Sequence, residues 1–213
     1  MYKNIVFDLG GVVVDFDPRG FLLERFCNKS TENKLYGLTF GSPLWQQLDA
    51  GTVTQDEAER QVMELARSQG LAFEAQAVLD DWPQMLRTRH QTVELMKRLK
   101  KLGYNIFYLS NISSSTLDLL QQRDFWPLFD GGLASCEVHI NKPDPRIFEA
   151  FMRRCGLAYD STIFVDDNKV NAQAAFDLGI TGIHYKGHSS FVKALGACGI
   201  HVREHGKAQP HTR

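Results

Sequence analysis

Four groups of polar residues, each set just after or between short apolar runs, could do chemistry together. Asp8 follows Ile5-Val6-Phe7 and is itself followed by Leu9 and two glycines, Gly10 and Gly11. Ser110 and Asn111 follow Asn105-Ile106-Phe107-Tyr108-Leu109. Lys142 stands in the loop Asn141-Lys142-Pro143-Asp144-Pro145, and Asp166-Asp167 follow Thr162-Ile163-Phe164-Val165. Compact apolar runs of this kind are doubly buried parallel strands, and open α/β sheets bind ligands just beyond the carboxyl ends of their strands. Three carboxylates gathered at one spot repel each other and take up protons unless a cation sits among them. The glycines let backbone come close to whatever Asp8 touches. Singly, each group has an ordinary reading: Asp8 or Ser110 as a cap, Lys142 as a solvated loop residue, Asp166-Asp167-Asn168 as a plain turn. All four in order at the ends of apolar runs point to one shared site.

The elements that must position these groups alternate between strand and helix. After Val12-Val13-Val14, the stretch Asp15-Phe16-Asp17-Pro18-Arg19 is a turn-like exit from the sheet. From about Phe21 to Leu86 the pattern is helical and strand-poor. There Thr54-Gln55-Asp56-Glu57 reads as a capping box opening a helix through Ala66, with Gly70 closing it. Trp45 and Trp82 read as packing residues, Trp45 being the better candidate for an exposed role. Alternation then resumes. Leu95, Leu99 and Leu102 share one helical face ending at Gly103, and Ser113 or Ser114 caps the helix after Asn111. A short segment near Leu133 follows, Pro145 opens a helix ending at Gly156, and a helix from about Val170 to Leu178 ends at Gly179. Gly182-Ile183-His184-Tyr185 makes a further strand, and Phe191 to Cys198 a last helix. This order predicts an α/β fold, a Rossmann-like doubly wound parallel sheet covered on both faces. The helical block is an insertion. The predicted core is 1–16 with 88–204, the insert 17–87 and the polar tail 205–213.

Composition narrows the function class. Hydrophobic residues make up 43% and charged residues 23%, the balance of a folded soluble domain. A net charge of −1 with mixed signs leaves no electrostatic footprint for nucleic acid or an anionic membrane. No apolar run approaches a membrane span, and the first strand begins at once, which leaves no room for a signal peptide. Cys27, Cys136, Cys155 and Cys198 form no CxxC pair and read as reduced thiols of a cytoplasmic protein. A monomer or homodimer acting on a small molecule is the expectation.

The four motifs, Phe7-Asp8-Leu9-Gly10-Gly11-Val12, Tyr108-Leu109-Ser110-Asn111, Lys142-Pro143-Asp144-Pro145-Arg146-Ile147-Phe148 and Phe164-Val165-Asp166-Asp167-Asn168, together resemble the haloacid dehalogenase superfamily of hydrolases. The wording is most similar to its branch with a small helical cap, which contains sugar-phosphate phosphatases. The resemblance implies a cap closing over the site and Asp8 as a nucleophile that forms an aspartyl-phosphate, splitting hydrolysis into two easier steps. It implies Mg²⁺ held by Asp8, the Gly10 carbonyl and Asp167, with Asp166 as a further ligand or as the holder of a metal-bound water. Lys142 would neutralise the phosphate and Asp8, and Ser110 with the Asn111 backbone N–H would hold a phosphoryl oxygen. In the cap, Arg19, Trp45 and Gln46 are the candidates for substrate selection.

One departure matters. Most phosphatases of the superfamily carry a second Asp two residues after the nucleophile to protonate the leaving oxygen; here Gly10 stands there. A missing acid costs about 10² to 10⁴ in rate. The expectation is a preference for good leaving groups such as sugar 1-phosphates, with water or Asp15 giving some proton transfer. Two other readings compete: a metal-free 2-haloacid dehalogenase, which Asp166-Asp167 opposes, and a catalytically silent binding protein that keeps the fold.

Overall fold

A computed structural model describes residues 1–202; the predicted tail at 205–213 lies outside them, as do the last two residues assigned to the core. Five parallel strands form one sheet: β1 (Asn4–Phe7), β2 (Asn105–Ser110), β3 (Gly131–Ala134), β4 (Thr162–Asp166) and β5 (Thr181–His184), in the order β3-β2-β1-β4-β5. Here β1 lies between β2 and β4, with Ile5 in register with Ile106 on one side and Ile163 on the other. The winding therefore reverses at β1, and the crevice this opens beyond its carboxyl end is where Asp8 emerges.

Alternation along the strands divides the core in two. Ile5, Phe7, Ile106, Tyr108, Ile163 and Val165 face one layer, and Val6, Phe107, Leu109, Leu133 and Phe164 face the other. The first layer packs under α6 (His90–Lys101), α7 (Ser114–Gln121) and α10 (His188–Ala197); the second packs under α8 (Pro145–Cys155) and α9 (Lys169–Asp177). Each fully buried aliphatic or aromatic side chain contributes about 1.5–3 kcal/mol, so both sheet faces hold the strand ends rigid.

Between β1 and α6 the chain builds five helices: α1 (Pro18–Phe26), α2 (Lys29–Leu38), α3 (Pro43–Asp49), α4 (Gln55–Ser68) and α5 (Ala72–Asp81). The outgoing and returning crossings run side by side, tied by an antiparallel bridge between Val14 and Thr88 and by the Asp15 N–H donating to the Arg87 carbonyl at 2.8 Å. The α3 end of the insert sits on the core. Asn141 Nδ2 donates to the Gln46 carbonyl at 2.8 Å, Ser135 Oγ donates to the Asp49 carbonyl at 2.5 Å, and His139 Nδ1 lies 2.9 Å from the Ala50 carbonyl.

Two local expectations need correction. Thr54 caps α4 by accepting the Glu57 N–H at 3.3 Å, but the Glu57 carboxylate bonds Arg60 and Gln61 rather than returning to Thr54, so only half the box forms. Leu102 is exposed, because α6 ends at Lys101 and the next residue leaves the buried stripe; Met96 joins Leu95 and Leu99 there instead.

Candidate active site

Asp8 is 8% exposed and receives three donors on one oxygen. Its Oδ1 accepts the Ser110 hydroxyl at 2.7 Å and the Leu9 N–H at 2.8 Å, and the Lys142 ammonium lies 3.0 Å away. Among the described residues no hydrogen bond reaches Oδ2, which leaves that oxygen available for attack or for a cation. Lys142 is buried and also donates to Asp166 Oδ2 at 2.7 Å and to the Leu109 carbonyl at 2.9 Å. All three ammonium hydrogens are thereby spent, so the lysine is held at one point. Its loop is fixed by Asn111, whose amide accepts the Lys142 N–H at 2.7 Å and donates to the Lys142 carbonyl at 2.9 Å. The Asn111 side chain thus positions Lys142, and only its backbone N–H is left to face a ligand.

Asp8, Asp166 and Asp167 each offer an oxygen within 4.8 Å of the others. Asp166 is fully buried and saturated: Oδ1 accepts the Asn168 N–H at 2.8 Å, the Asn171 amide reaches both oxygens, and Lys142 takes Oδ2. Asp167 is exposed as a residue but turns its carboxylate against Gly11. A Cβ at Gly11, which has φ +72°, would fall on that carboxylate. The all-oxygen set with two uncommitted carboxylates fits a hard cation that keeps several waters, which is the behaviour of Mg²⁺. Asp8 and Asp167 would hold it directly, with the Gly10 carbonyl beside them, while Asp166 acts by fixing Lys142.

The electrostatics match that assignment. Burial, opposed by Lys142 and aided by Asp166, pushes the Asp8 carboxyl up to about 7 in the metal-free chain. Asp167 is raised by partial desolvation and then by Asp166. Burial works against the Lys142 ammonium, but Asp166 and Asp8 outweigh it and hold its pKa above the ordinary lysine value. Replacing Gly11 with alanine forces a left-handed backbone on a residue with a Cβ, costing roughly 1–2 kcal/mol, and displaces Asp167. Gly11→Ala is expected to bind Mg²⁺ at least tenfold more weakly in a calorimetric titration; unchanged affinity would remove Gly11 from the shaping of the site.

A cavity of about 60 Å³ separates the insert from this cluster, lined on the core side by Gly10, Ser110 and Asn111 and on the insert side by Trp45, Trp82 and Asp49. That volume is well below the roughly 300–1,000 Å³ of sites that enclose a drug-sized ligand. Trp45 reaches the cavity, packed against Phe40 at 4.7 Å and Trp82 at 5.2 Å between ring centroids. Arg19 does not line it: the guanidinium pairs with buried Glu32 and lies 3.8 Å over the Tyr36 ring. Gln46 is exposed and meets the core through its backbone carbonyl. Asp15 is paired with Arg89 at 2.7 Å and lines an outer cleft rather than this cavity. Sequence reasoning missed Asp49, which is one acid among many in a helical block and carries no spacing signal. Arg89 was missed for the same reason; it ties Asp15 to the Gly11 carbonyl.

A parallel sheet with a buried carboxylate and an acidic pair at adjacent strand ends and a lysine beside them, under a helical insert, is the architecture of a Rossmann-like hydrolase. A family profile described as haloacid dehalogenase-like hydrolase matches residues 2–179, and the chain belongs to that family. It is 28% identical over 185 residues to a sesquiterpene phosphatase of Aspergillus oryzae, covering 86% of this chain and 89% of that one. It is 28% identical over 194 residues to a D-ribitol-5-phosphate phosphatase of Bacteroides thetaiotaomicron, covering 84% and 89%. In fold it is similar to a HAD-like hydrolase of Porphyromonas gingivalis, with a TM-score of 0.68 at 24% identity over 93% of this chain and 98% of that one. A Bacteroides thetaiotaomicron enzyme of the family, solved as a complex with magnesium and inorganic phosphate, superposes with a TM-score of 0.68 at 23% identity, covering 87% and 95%. Among the described residues, no helix is long and apolar enough to cross a membrane.

Proposed function

We propose that the protein is a Mg²⁺-dependent phosphatase that hydrolyses a small phosphorylated metabolite through an aspartyl-phosphate on Asp8. The observation that carries this reading is the convergence of Ser110, Lys142 and the Leu9 N–H on one oxygen of Asp8, with an oxygen of Asp167 within 4.8 Å of the same carboxylate. A carboxylate so held attacks phosphorus through Oδ2 as the bond to the leaving oxygen breaks, and water then displaces Asp8 from phosphorus. Ser110 and the Asn111 N–H bind the phosphoryl oxygens, and Lys142 balances the charge of Asp8 and the incoming phosphate. Bound Mg²⁺ would supply the remaining charge neutralisation. The acidic pair argues against a 2-haloacid dehalogenase, since Asp166 and Asp167 would repel an anionic substrate attacked without metal. The finer reading is a sugar or sugar-alcohol phosphate. The bacterial α-D-glucose-1-phosphate phosphatase, which the motifs also resemble, and the relative acting on ribitol 5-phosphate support it, and Trp45 offers an aromatic face for such a substrate.

The test is hydrolysis of p-nitrophenyl phosphate with Mg²⁺ and with chelator. Activity that depends on Mg²⁺ is the expected result, and no hydrolysis, or equal hydrolysis without metal, would overturn the reading. Asp167→Ala should weaken Mg²⁺ binding by tenfold or more while leaving the metal-free melting temperature unchanged or higher, because one of three mutually repelling carboxylates is gone. Wild-type Mg²⁺ affinity in that variant would exclude Asp167 as a ligand.

A further inference from the structure

Phosphoryl transfer to Asp8 needs a proton for the leaving oxygen, and Gly10, two residues on, has no side chain to give one. The chain offers another carboxyl at the same cavity. Asp49, the last residue of α3, lines it opposite Gly10 together with Ser110 and Asn111. Asp49 comes from the insert, the side from which the leaving portion of a substrate must project once its phosphate sits against Asp8 and Ser110. Its place is fixed by the core: Ser135 Oγ donates to the Asp49 carbonyl, and His139 Nδ1 lies 2.9 Å from the carbonyl of Ala50, the next residue. Resting on the phosphatase reading above, we propose that Asp49 is the general acid and base of this enzyme, delivered by the cap in place of the missing core acid.

The proton balance closes. As Asp8 Oδ2 bonds to phosphorus, the bond from phosphorus to the leaving oxygen breaks, and its electron pair takes the proton from the Asp49 carboxyl. The resulting Asp49 carboxylate then removes a proton from the water that attacks the aspartyl-phosphate. The bond from phosphorus to Asp8 breaks, phosphate leaves, and Asp49 is protonated again for the next cycle. An acid in this role must hold its proton at neutral pH while it waits. Asp49 meets that condition: burial first, and the nearby Asp8 charge second, raise its pKa well above the usual carboxylate range, outweighing the polar groups of Ser113 and Trp45 and the charge of Lys142. Because the carboxyl arrives with α3, it reaches the leaving oxygen only when the insert is seated on the core. Acid catalysis is thereby confined to the closed state. The preference for good leaving groups expected from Gly10 alone then belongs to a variant lacking Asp49 rather than to the natural chain.

The experiment compares wild type and Asp49→Asn on p-nitrophenyl phosphate and on phenyl phosphate, whose leaving phenol is far more basic. Asparagine keeps the size and polarity of the side chain but has no acidic proton to give. The expected result is a loss in kcat/KM, which reports the step that expels the leaving oxygen, of about 10²-fold or more on phenyl phosphate and of less than about threefold on p-nitrophenyl phosphate, while the shared hydrolysis of the aspartyl-phosphate slows alike on both. The ratio between the two substrates does not depend on what fraction of the preparation is folded. Calorimetry with inorganic phosphate and Mg²⁺ should give the same affinity in both proteins, since Asp49 faces the leaving group rather than the phosphate. Equal losses in kcat/KM on both substrates would overturn the assignment and leave Asp49 a docking residue; Mg²⁺-dependent turnover by the wild type would still stand.

Discussion

Asp8→Asn is expected to abolish turnover, by a factor on the order of 10⁴ or more, and at the same time to raise the melting temperature of the metal-free protein above neutral pH. The first effect follows from chemistry, since an amide neither attacks phosphorus as a carboxylate does nor binds a cation as an anion. The second follows from linkage. The Asp8 carboxyl titrates near 3.8 when unfolded and near 7 in the folded, metal-free chain. Between those values the folded state holds a proton that the unfolded state has released, so stability falls as pH rises through that window. A rise of this size corresponds to roughly 4 kcal/mol at full effect. The amide of the variant has no charge to bury. The gap in melting temperature between Asp8→Asn and wild type should therefore be small near pH 4 and widen towards pH 8 in the presence of chelator. Mg²⁺ should narrow it by stabilising the wild type alone. Melting curves across that range check both, and a gap that does not grow with pH would mean that Asp8 is not buried in the way the fold requires.

That carboxylate was the most legible feature of the sequence, and the reason is physical. Ile5-Val6-Phe7 is apolar without alternation because β1 is central and covered on both faces, and the first polar residue after such a run must lie at the sheet's edge, where ligands bind. The same logic places Ser110 and Asp166. It also gives the strand order no help: nothing in the run of residues says that β1 lies between β2 and β4. The Asn111 side chain shows the next limit. The sequence assigns a role only to the residue's backbone N–H; a side-chain amide with both a donor and an acceptor suits a backbone clamp, and only the fold reveals that the Lys142 loop passes within reach. Arg19 failed for a related reason. A cation in the cap looks like an anion binder until Glu32, thirteen residues on, is seen buried against it. Asp49 carried no signal because its surroundings are assembled from the ends of β1 and β2, far away in sequence.

The second large effect is expected from Lys142→Met. Lys142 is 4% exposed and lies against two carboxylates, one of them, Asp166, with no exposure at all. Methionine fills a similar volume, so packing is largely kept while the cation paired with Asp166 disappears. Breaking a buried pair from one side leaves an uncompensated charge and costs about 3–5 kcal/mol, on the order of 10 °C in melting temperature for a chain of this size. Activity is lost as well, because the phosphate and Asp8 would then approach each other without the ammonium between them. Two further measurements separate charge from shape. Without Lys142 the Asp8 carboxyl, raised to about 7 even with the ammonium beside it, should hold its proton to higher pH, so the variant recovers stability as pH falls below that value. A second change, Asp166→Asn, should restore much of the stability of Lys142→Met without restoring activity, because the buried anion is removed while the Asn171 amide and the Asn168 N–H retain an acceptor. If the double variant melts no higher than Lys142→Met, the lysine holds the loop by packing, and its charge is not what the two aspartates require.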